Sequence, residues 1–187
     1  MEISNEIKIE VMEGVYEPEE DSYLLIESIK IEGRKVLDMG CGCGIVALHL
    51  AKNGCDVVAV DLDKKAVENT IKNAEMNGLK IRCFKSDLFE NINEKFDMIV
   101  FNPPYLPTKN ESLAWDGGKD GKEIIEKFLK EVKNYLNKGG KIYIVMSSFN
   151  KVDEIIKKFR EYEFEKVGEK KFFFERIYVY RIKIKFS

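Results

Sequence analysis

Residues Arg34 to Lys52 constrain the fold more than any other stretch. A short apolar strand around Val36-Leu37 runs into a turn holding Gly40, Gly42 and Gly44, and Ile45-Val46-Ala47-Leu48-His49-Leu50-Ala51-Lys52 continues as a helix. Glycines at such a turn let the backbone reverse tightly and let a ligand approach main-chain amides. A second apolar strand, Asp56-Val57-Val58-Ala59-Val60, follows and ends in Asp61. Strand, helix and strand in that order need a crossover, which places the chain in the α/β class with a mostly parallel sheet.

A glycine-rich turn is common in such proteins and does not by itself name a ligand. Two details sharpen it. Asp38 sits two residues before Gly40, and Asp61 stands at the tip of the second strand. A carboxylate at that tip suits a ribose, because it accepts from both hydroxyls. The glycine spacing is not the GxGxxG of dinucleotide binders, and no GK[ST] follows to cradle phosphates. Both facts favour a nucleoside cofactor without a pyrophosphate.

Further elements follow by pattern. Ile7 to Val11 alternates and reads as an edge strand; Val15 to Ser22 is acidic with one proline and leads into an amphipathic helix from Tyr23 to Ile29. Lys64 to Asn77 is a helix capped by Asp63 and stopped by Gly78, and Ile81 to Leu88 a third strand that carries Asp87. Lys122 to Leu136 reads as a helix, Lys138-Gly139-Gly140 as a turn, Lys141 to Met146 as a strand and Lys151 to Tyr162 as the last helix. Phe164 to Phe174 and Arg176 to Phe186 read as an antiparallel pair at the end of the sheet.

The second informative stretch is Ile99-Val100-Phe101-Asn102-Pro103-Pro104-Tyr105, where a buried strand stops in a rigid polar turn. Two prolines remove two backbone donors, so their carbonyls are free for whatever lies above the strand end. The Asn102 side-chain oxygen and the Pro103 carbonyl would grip a planar –NH2 group between two acceptors, and Tyr105 adds a flat face for packing beside it. The following loop, Leu106 to Gly121, is long for a compact domain and reads as functional. Gly40, Asp61, Asp87 and Asn102 all fall on one edge of the sheet, so four strand ends converge on one crevice at its carboxyl edge.

Composition argues against several other chemistries. The net charge of −2 supplies no global field for nucleic acid. Four cysteines lack CxxC spacing and the sole histidine, His49, lies on an apolar helix, so it reads as a core residue and no metal is expected. The cysteines read as small fillers and not nucleophiles. No signal peptide or membrane-length apolar run is seen, so the expected location is cytoplasmic.

The strand–GxGxG–helix unit, Asp61, Asp87 and Asn-Pro-Pro-Tyr together resemble a class I S-adenosylmethionine-dependent methyltransferase that modifies amino groups. Val15 to Ser22 and Trp115 to Gly121 narrow the resemblance to the short archaeal and eukaryotic HemK-like branch, the release-factor glutamine methyltransferases. The match covers nearly the whole chain. It implies one Rossmann-like domain over residues 1–187, with an N-terminal flap and helix over 1–30, a catalytic core over 31–187, and a mostly parallel seven-stranded sheet with a C-terminal antiparallel pair.

By resemblance, Asp38 and Gly40 hold the methionine part of S-adenosylmethionine, with Gly42 in the same loop and Ser22 reaching in from the flap. Asp61 takes the ribose, although Asp63 stands close enough to leave the choice of carboxylate open. Asp87 and the Leu88 backbone read the adenine, and Asn102, Pro103, Pro104 and Tyr105 form the catalytic turn. The implied reaction is methylation of the glutamine amide in the Gly-Gly-Gln motif of a class I termination factor. A small zinc-binding activator protein is the implied partner, and an apolar patch along Ile81 to Phe84 would support it. Two other readings stand beside this one: a DNA or RNA amino-methyltransferase, since adenine N6 and cytosine N4 present the same –NH2, and a non-catalytic scaffold of the same fold.

Overall fold

The computed structural model describes residues 1–105 and 121–185. The loop from Leu106 to Asp120, including the Trp115 motif up to Asp120, and the last two residues lie outside the described residues.

Seven strands form one sheet: β1 (Lys35–Met39), β2 (Asp56–Asp61), β3 (Ile81–Lys85), β4 (Phe96–Phe101), β5 (Leu136–Ser147), β6 (Tyr162–Lys171) and β7 (Arg176–Ile184). Their order is β3-β2-β1-β4-β5-β7-β6. β1 pairs in parallel with β2 and β4, Leu37 standing opposite Val58 on one side and Ile99 on the other. The succession runs outward one way from β1 through β2 to β3, then restarts beside β1 with β4 and runs the other way. A crevice opens at such a reversal, outside the carboxyl ends of the strands. β7 is antiparallel to both β5 and β6, as the alternating terminal runs predict.

Alternation along each strand builds a core on both faces of the sheet. Leu37, Ile99 and Ile142 join one apolar cluster, under Phe128 and Leu129. Their neighbours Val36, Met98, Val100 and Tyr143 join the other, under Leu25, Ile26 and Val46. The helices supplying those lids are α1 (Glu20–Ser28), α2 (Ile45–Lys52), α3 (Lys64–Met76), α4 (Glu123–Glu131) and α5 (Val152–Lys158). Among the described residues no helix is long and apolar enough to cross a membrane.

Four sequence expectations are corrected. Ile7 to Val11 is extended but belongs to no strand. It is held instead by asparagine side chains of α3. Asn77, Asn73 and Asn69 accept from the backbone N–H groups of Lys8, Glu10 and Met12 at 2.8–3.0 Å. Their Nδ2 groups donate back to the carbonyls of Lys8 and Glu10. The helix expected to reach Leu136 ends at Glu131, continues as a 3-10 turn over Val132–Tyr135, and gives way to β5. Lys138-Gly139-Gly140 is then an irregularity inside β5, where the register on β4 jumps from Phe96–Leu136 to Met98–Lys141. The last helix stops at Lys158 because Tyr162 is already paired with Ile184, its hydroxyl donating to the buried Leu129 carbonyl at 2.8 Å.

His49 is a core residue, as its apolar helix predicts. Its Nδ1 lies 2.8 Å from the Ile45 carbonyl and its Nε2 accepts from the Ser4 N–H at 3.1 Å. That pairing requires the neutral tautomer protonated on Nδ1. Burial holds its pKa below the usual histidine range.

Candidate functional site

Asn102 follows the last residue of β4, where the prolines end the ladder. Its Nδ2 donates to Asp21 Oδ2 at 3.1 Å and lies 3.4 Å from Ser22 Oγ. A carboxylate only accepts, so the amide end facing Asp21 must be –NH2 and Oδ1 points the other way. Oδ1 is buried and has no hydrogen-bond partner. An orphaned buried acceptor is costly unless a donor from outside the chain meets it.

Asp21 and Ser22 sit in the first turn of α1 and are both buried. Five donors converge on the Asp21 carboxylate: Tyr16 OH, Tyr105 OH, Asn102 Nδ2, and the N–H and Oγ of Ser22. Burial, followed by the neighbouring Asp21 charge, holds both tyrosine hydroxyls far above the usual tyrosine range. Tyr16 and Tyr105 are therefore fixed as phenols that donate. Behind the turn, Asn150 Nδ2 donates to the carbonyls of Tyr105 at 2.7 Å and Gly121 at 3.1 Å. Gly121 has φ +65°, and a Cβ there would collide with the Tyr105 carbonyl. Pro103 is buried and Pro104 half-buried in this clamp.

The glycine loop lies beside it. Asp38, on β1, is buried between the chains of β2 and β4, level with Ala59 and Val100. Its Oδ2 has no hydrogen-bond partner; among the described residues, Asp38 Oδ2 and Asn102 Oδ1 are the only buried side-chain oxygens in that condition. Burial pushes the Asp38 carboxyl up to about 8, against a lowering hydrogen bond from the Ala47 backbone. Gly40 approaches the Phe101 ring and the Asn102 carbonyl. Gly42 has φ +54° with open space where a side chain would stand.

Asp61 and Asp63 make different contacts. Asp61 Oδ2 accepts from the Gly42 N–H at 3.0 Å and its Oδ1 from the Asp63 N–H at 2.9 Å. Asp63 is committed elsewhere, its carboxylate capping α3 through the Lys65 N–H. The acid on the glycine loop is therefore Asp61. Burial raises its pKa, opposed by the hydrogen bonds from Asp63 and Gly42.

Asp87 and Leu88 follow directly on Ser86, whose N–H donates to the Asp61 carbonyl at 2.9 Å. Asp87 is partly exposed and pairs with Lys127 of α4 at 3.2 Å. Leu88 is buried in the core with φ +46°, a left-handed conformation a leucine rarely adopts. Ser86 Oγ donates to the Leu88 carbonyl at 2.8 Å and steadies that turn. The structure thus joins Ser22, Asn102, Pro103 and Tyr105 in one cluster and Gly42 with Asp61 in another, with Asp38 and Gly40 between them.

Sequence reasoning missed Asp21, Tyr16, Asn150 and Lys127. The only signal for the first two was the acidic, proline-bearing stretch from Val15 to Ser22 in which both lie. The cysteines behave as fillers. All four are free; Cys41 Sγ lies 3.9 Å from Cys83 Sγ, and that contact together with burial raises the Cys41 thiol well above its ordinary range.

The family described as Methyltransferase small domain matches residues 7–174. A Methanocaldococcus jannaschii protein bearing a provisional protein N5-glutamine methyltransferase name is 42% identical over 168 residues, 85% of each chain. A release factor glutamine methyltransferase of Streptococcus pneumoniae is 36% identical over 154 residues, which are 73% of this chain and 55% of that protein. A chain of the E. cuniculi Mtq2–Trm112 complex, which methylates the eRF1 translation termination factor, superposes with a TM-score of 0.76 at 26% identity. The superposition covers 91% of this chain and 99% of that one. By this match the chain belongs to the Methyltransferase small domain family and is an S-adenosylmethionine-dependent methyltransferase.

Proposed function

We propose that this enzyme methylates the side-chain amide nitrogen of the glutamine in the Gly-Gly-Gln motif of a class I translation termination factor. The observation that carries the reading is Asn102 Oδ1, a buried acceptor without a partner whose direction is fixed by Asp21. A substrate –NH2 would donate one hydrogen to Oδ1 and the other to the Pro103 carbonyl. An amide nitrogen is a poor nucleophile because its lone pair is delocalised. Two acceptors on its hydrogens hold the plane and favour the positive charge that builds on nitrogen during transfer. Tyr16 and Tyr105 stay protonated and so offer no phenolate to take the proton, and Asp21 is occupied by five donors. The proton therefore leaves to solvent after transfer.

The residues present fit the cofactor. Bound S-adenosylmethionine supplies an electrophilic methyl group, so the protein's task is positioning. Asp38 Oδ2 is an open acceptor for the methionine ammonium, beside Gly40 and the open backbone of Gly42, with Ser22 approaching from α1. Asp61 takes the ribose hydroxyls. Asp87 would exchange Lys127 for the adenine edge, alongside the Leu88 backbone. We place the partner, a small zinc-binding activator protein, on β3. That strand is at the edge of the sheet, and an open groove of about 510 Å³ beside it is lined by apolar Ile71, Ala74, Leu79 and Ile81 and by charged Asp56, Glu75, Lys80 and Arg82. A partner strand added to β3 would cover both.

The test is a radiolabelled methyl-transfer assay on the termination factor, its Gln→Ala variant, DNA and tRNA. Label on the factor that disappears with the variant is expected, and Asn102→Ala should lower that turnover about 100-fold or more. Label on nucleic acid alone would hand the Asn102 pocket to a base and overturn the reading.

A further inference from the structure

The hairpin between β6 and β7 ends in three consecutive phenylalanines. Phe173 is 92% exposed, Phe174 84% and Phe172 41%. The Phe172 N–H donates to the Glu175 carbonyl at 2.7 Å, so Phe173 and Phe174 occupy the middle of the turn. Tight hairpins favour glycine or asparagine there. Two bulky apolar side chains break that preference and contribute almost no packing, since their rings touch mainly each other, with centroids 4.6 Å apart. The fold gains nothing from them, and a contiguous exposed apolar tip marks a contact surface.

The tip's place identifies what it contacts. Phe101 of β4 stands level with Ile144 of β5, and Ile144 level with Tyr180 of β7. β7 thus lies two strands from the catalytic turn, about 10 Å across the sheet. From Tyr180 the chain continues back past Arg176 to the tip, six residues beyond Phe101, or about 20 Å above that level if extended. The tip therefore overhangs the edge at which Asn102 opens. Its root is fastened on both sides. Ser147 Oγ donates to Glu175 Oε1 at 2.6 Å and the Arg176 N–H donates to Ser148 Oγ at 3.1 Å, while Lys170 pairs with Glu20 at the start of α1.

We propose that Phe173 and Phe174 form a docking finger for the protein substrate, seating in an apolar hollow on the body of the termination factor while its glutamine enters the Asn102 pocket. The proposal rests on the glutamine reading above. A phosphate-rich partner fits less well, because two of the cations flanking the tip are already paired, Lys170 with Glu20 and Arg176 with Glu169. A rigid aromatic anchor held on a fixed root loses little conformational freedom on binding.

The test compares the unaltered enzyme with Phe173→Ser/Phe174→Ser and Phe173→Leu/Phe174→Leu. KM for the termination factor should rise about tenfold in the serine variant while kcat changes less than twofold, and the leucine variant should recover most of the loss. Affinity for S-adenosylhomocysteine, read by calorimetry, should be unchanged in both. An unchanged KM in the serine variant, with the parent enzyme active on the factor, overturns the finger and leaves the glutamine reading intact. A parent enzyme that does not methylate the factor overturns both. A serine variant that loses affinity for tRNA instead of for the factor assigns the tip to nucleic acid and overturns the proposal.

Discussion

Asp21 ties its own neighbourhood, Tyr16 and Ser22, to a turn far away in sequence, Asn102 and Tyr105 after β4. Both of its oxygens face donors, so Asp21→Asn sets an –NH2 group against an –OH or –NH2 whichever way it turns. We expect stability to fall by about 1–3 kcal/mol and methyl transfer to fall about tenfold or more as Asn102 loses its fixed direction. Thermal unfolding and kcat read the two effects, and a kcat within twofold of the parent would remove Asp21 from the positioning role. Asp38 carries a prediction of a different kind. With its carboxyl raised to about 8, the protein free of cofactor binds a proton there at neutral pH, whereas an ammonium against Oδ2 needs the carboxylate. Cofactor affinity should therefore climb as pH rises toward 8, and binding at pH 7 should release protons. Calorimetry in two buffers of different ionisation enthalpy measures that release, and none would mean that Asp38 does not meet the ammonium. The same raised value means that Asp38's contribution to the stability of the cofactor-free fold is present near pH 4 and lost as pH rises through 8. Asp38 was legible from its place two residues before Gly40, and Asn102 from its place at a strand end. Asp21 was not, because its chemistry exists only once residues 81 and 84 positions away are brought to it.

At the scale of elements, the N-terminal segment shows how a correct local reading attaches to the wrong partner. Alternation from Ile7 to Val11 specifies an extended chain but not what satisfies its backbone. Every second residue of an extended chain advances about 6.6 Å and every fourth residue of a helix about 6 Å, so the two repeats match. Asn69, Asn73 and Asn77 use that match to present an amide wherever a neighbouring strand would have presented a peptide group. Their spacing of four is visible in the sequence, yet nothing there assigns them a partner until the segment is placed on α3. Asn73 is the central rung and also donates to the Cys43 carbonyl at 2.8 Å, tying the segment to the glycine loop. Asn73→Ala should destabilise the protein by about 2–3 kcal/mol and accelerate amide exchange at Lys8, Glu10 and Met12. Unaltered exchange at Glu10 would show that the segment is held by other contacts. The Lys138-Gly139-Gly140 misreading has the same root: glycines announce a backbone departure, and only pairing with β4 decides whether it is a turn or an irregularity within a strand.

For the molecule as a whole, the parallel half of the sheet was readable because each βα unit carries its own evidence: an apolar strand, a glycine or capped helix start, and a polar residue at the strand end. Beyond β5 the evidence is not local. Two alternating runs announce two strands, but their position, and so the height of the Phe173–Phe174 tip above the catalytic edge, depends on β7 lying between β5 and β6. That order has a bearing on synthesis. As the chain leaves the ribosome, β5 emerges with one side unpaired and β6 emerges with nothing beside it, and neither can bond to the other. The last strand to appear is the wedge that satisfies both. A chain interrupted before Arg176 would thus leave β5 with an open edge and β6 wholly unpaired, a conspicuous mark for chaperones and proteases, whereas the nine residues from Arg176 to Ile184 pair with both.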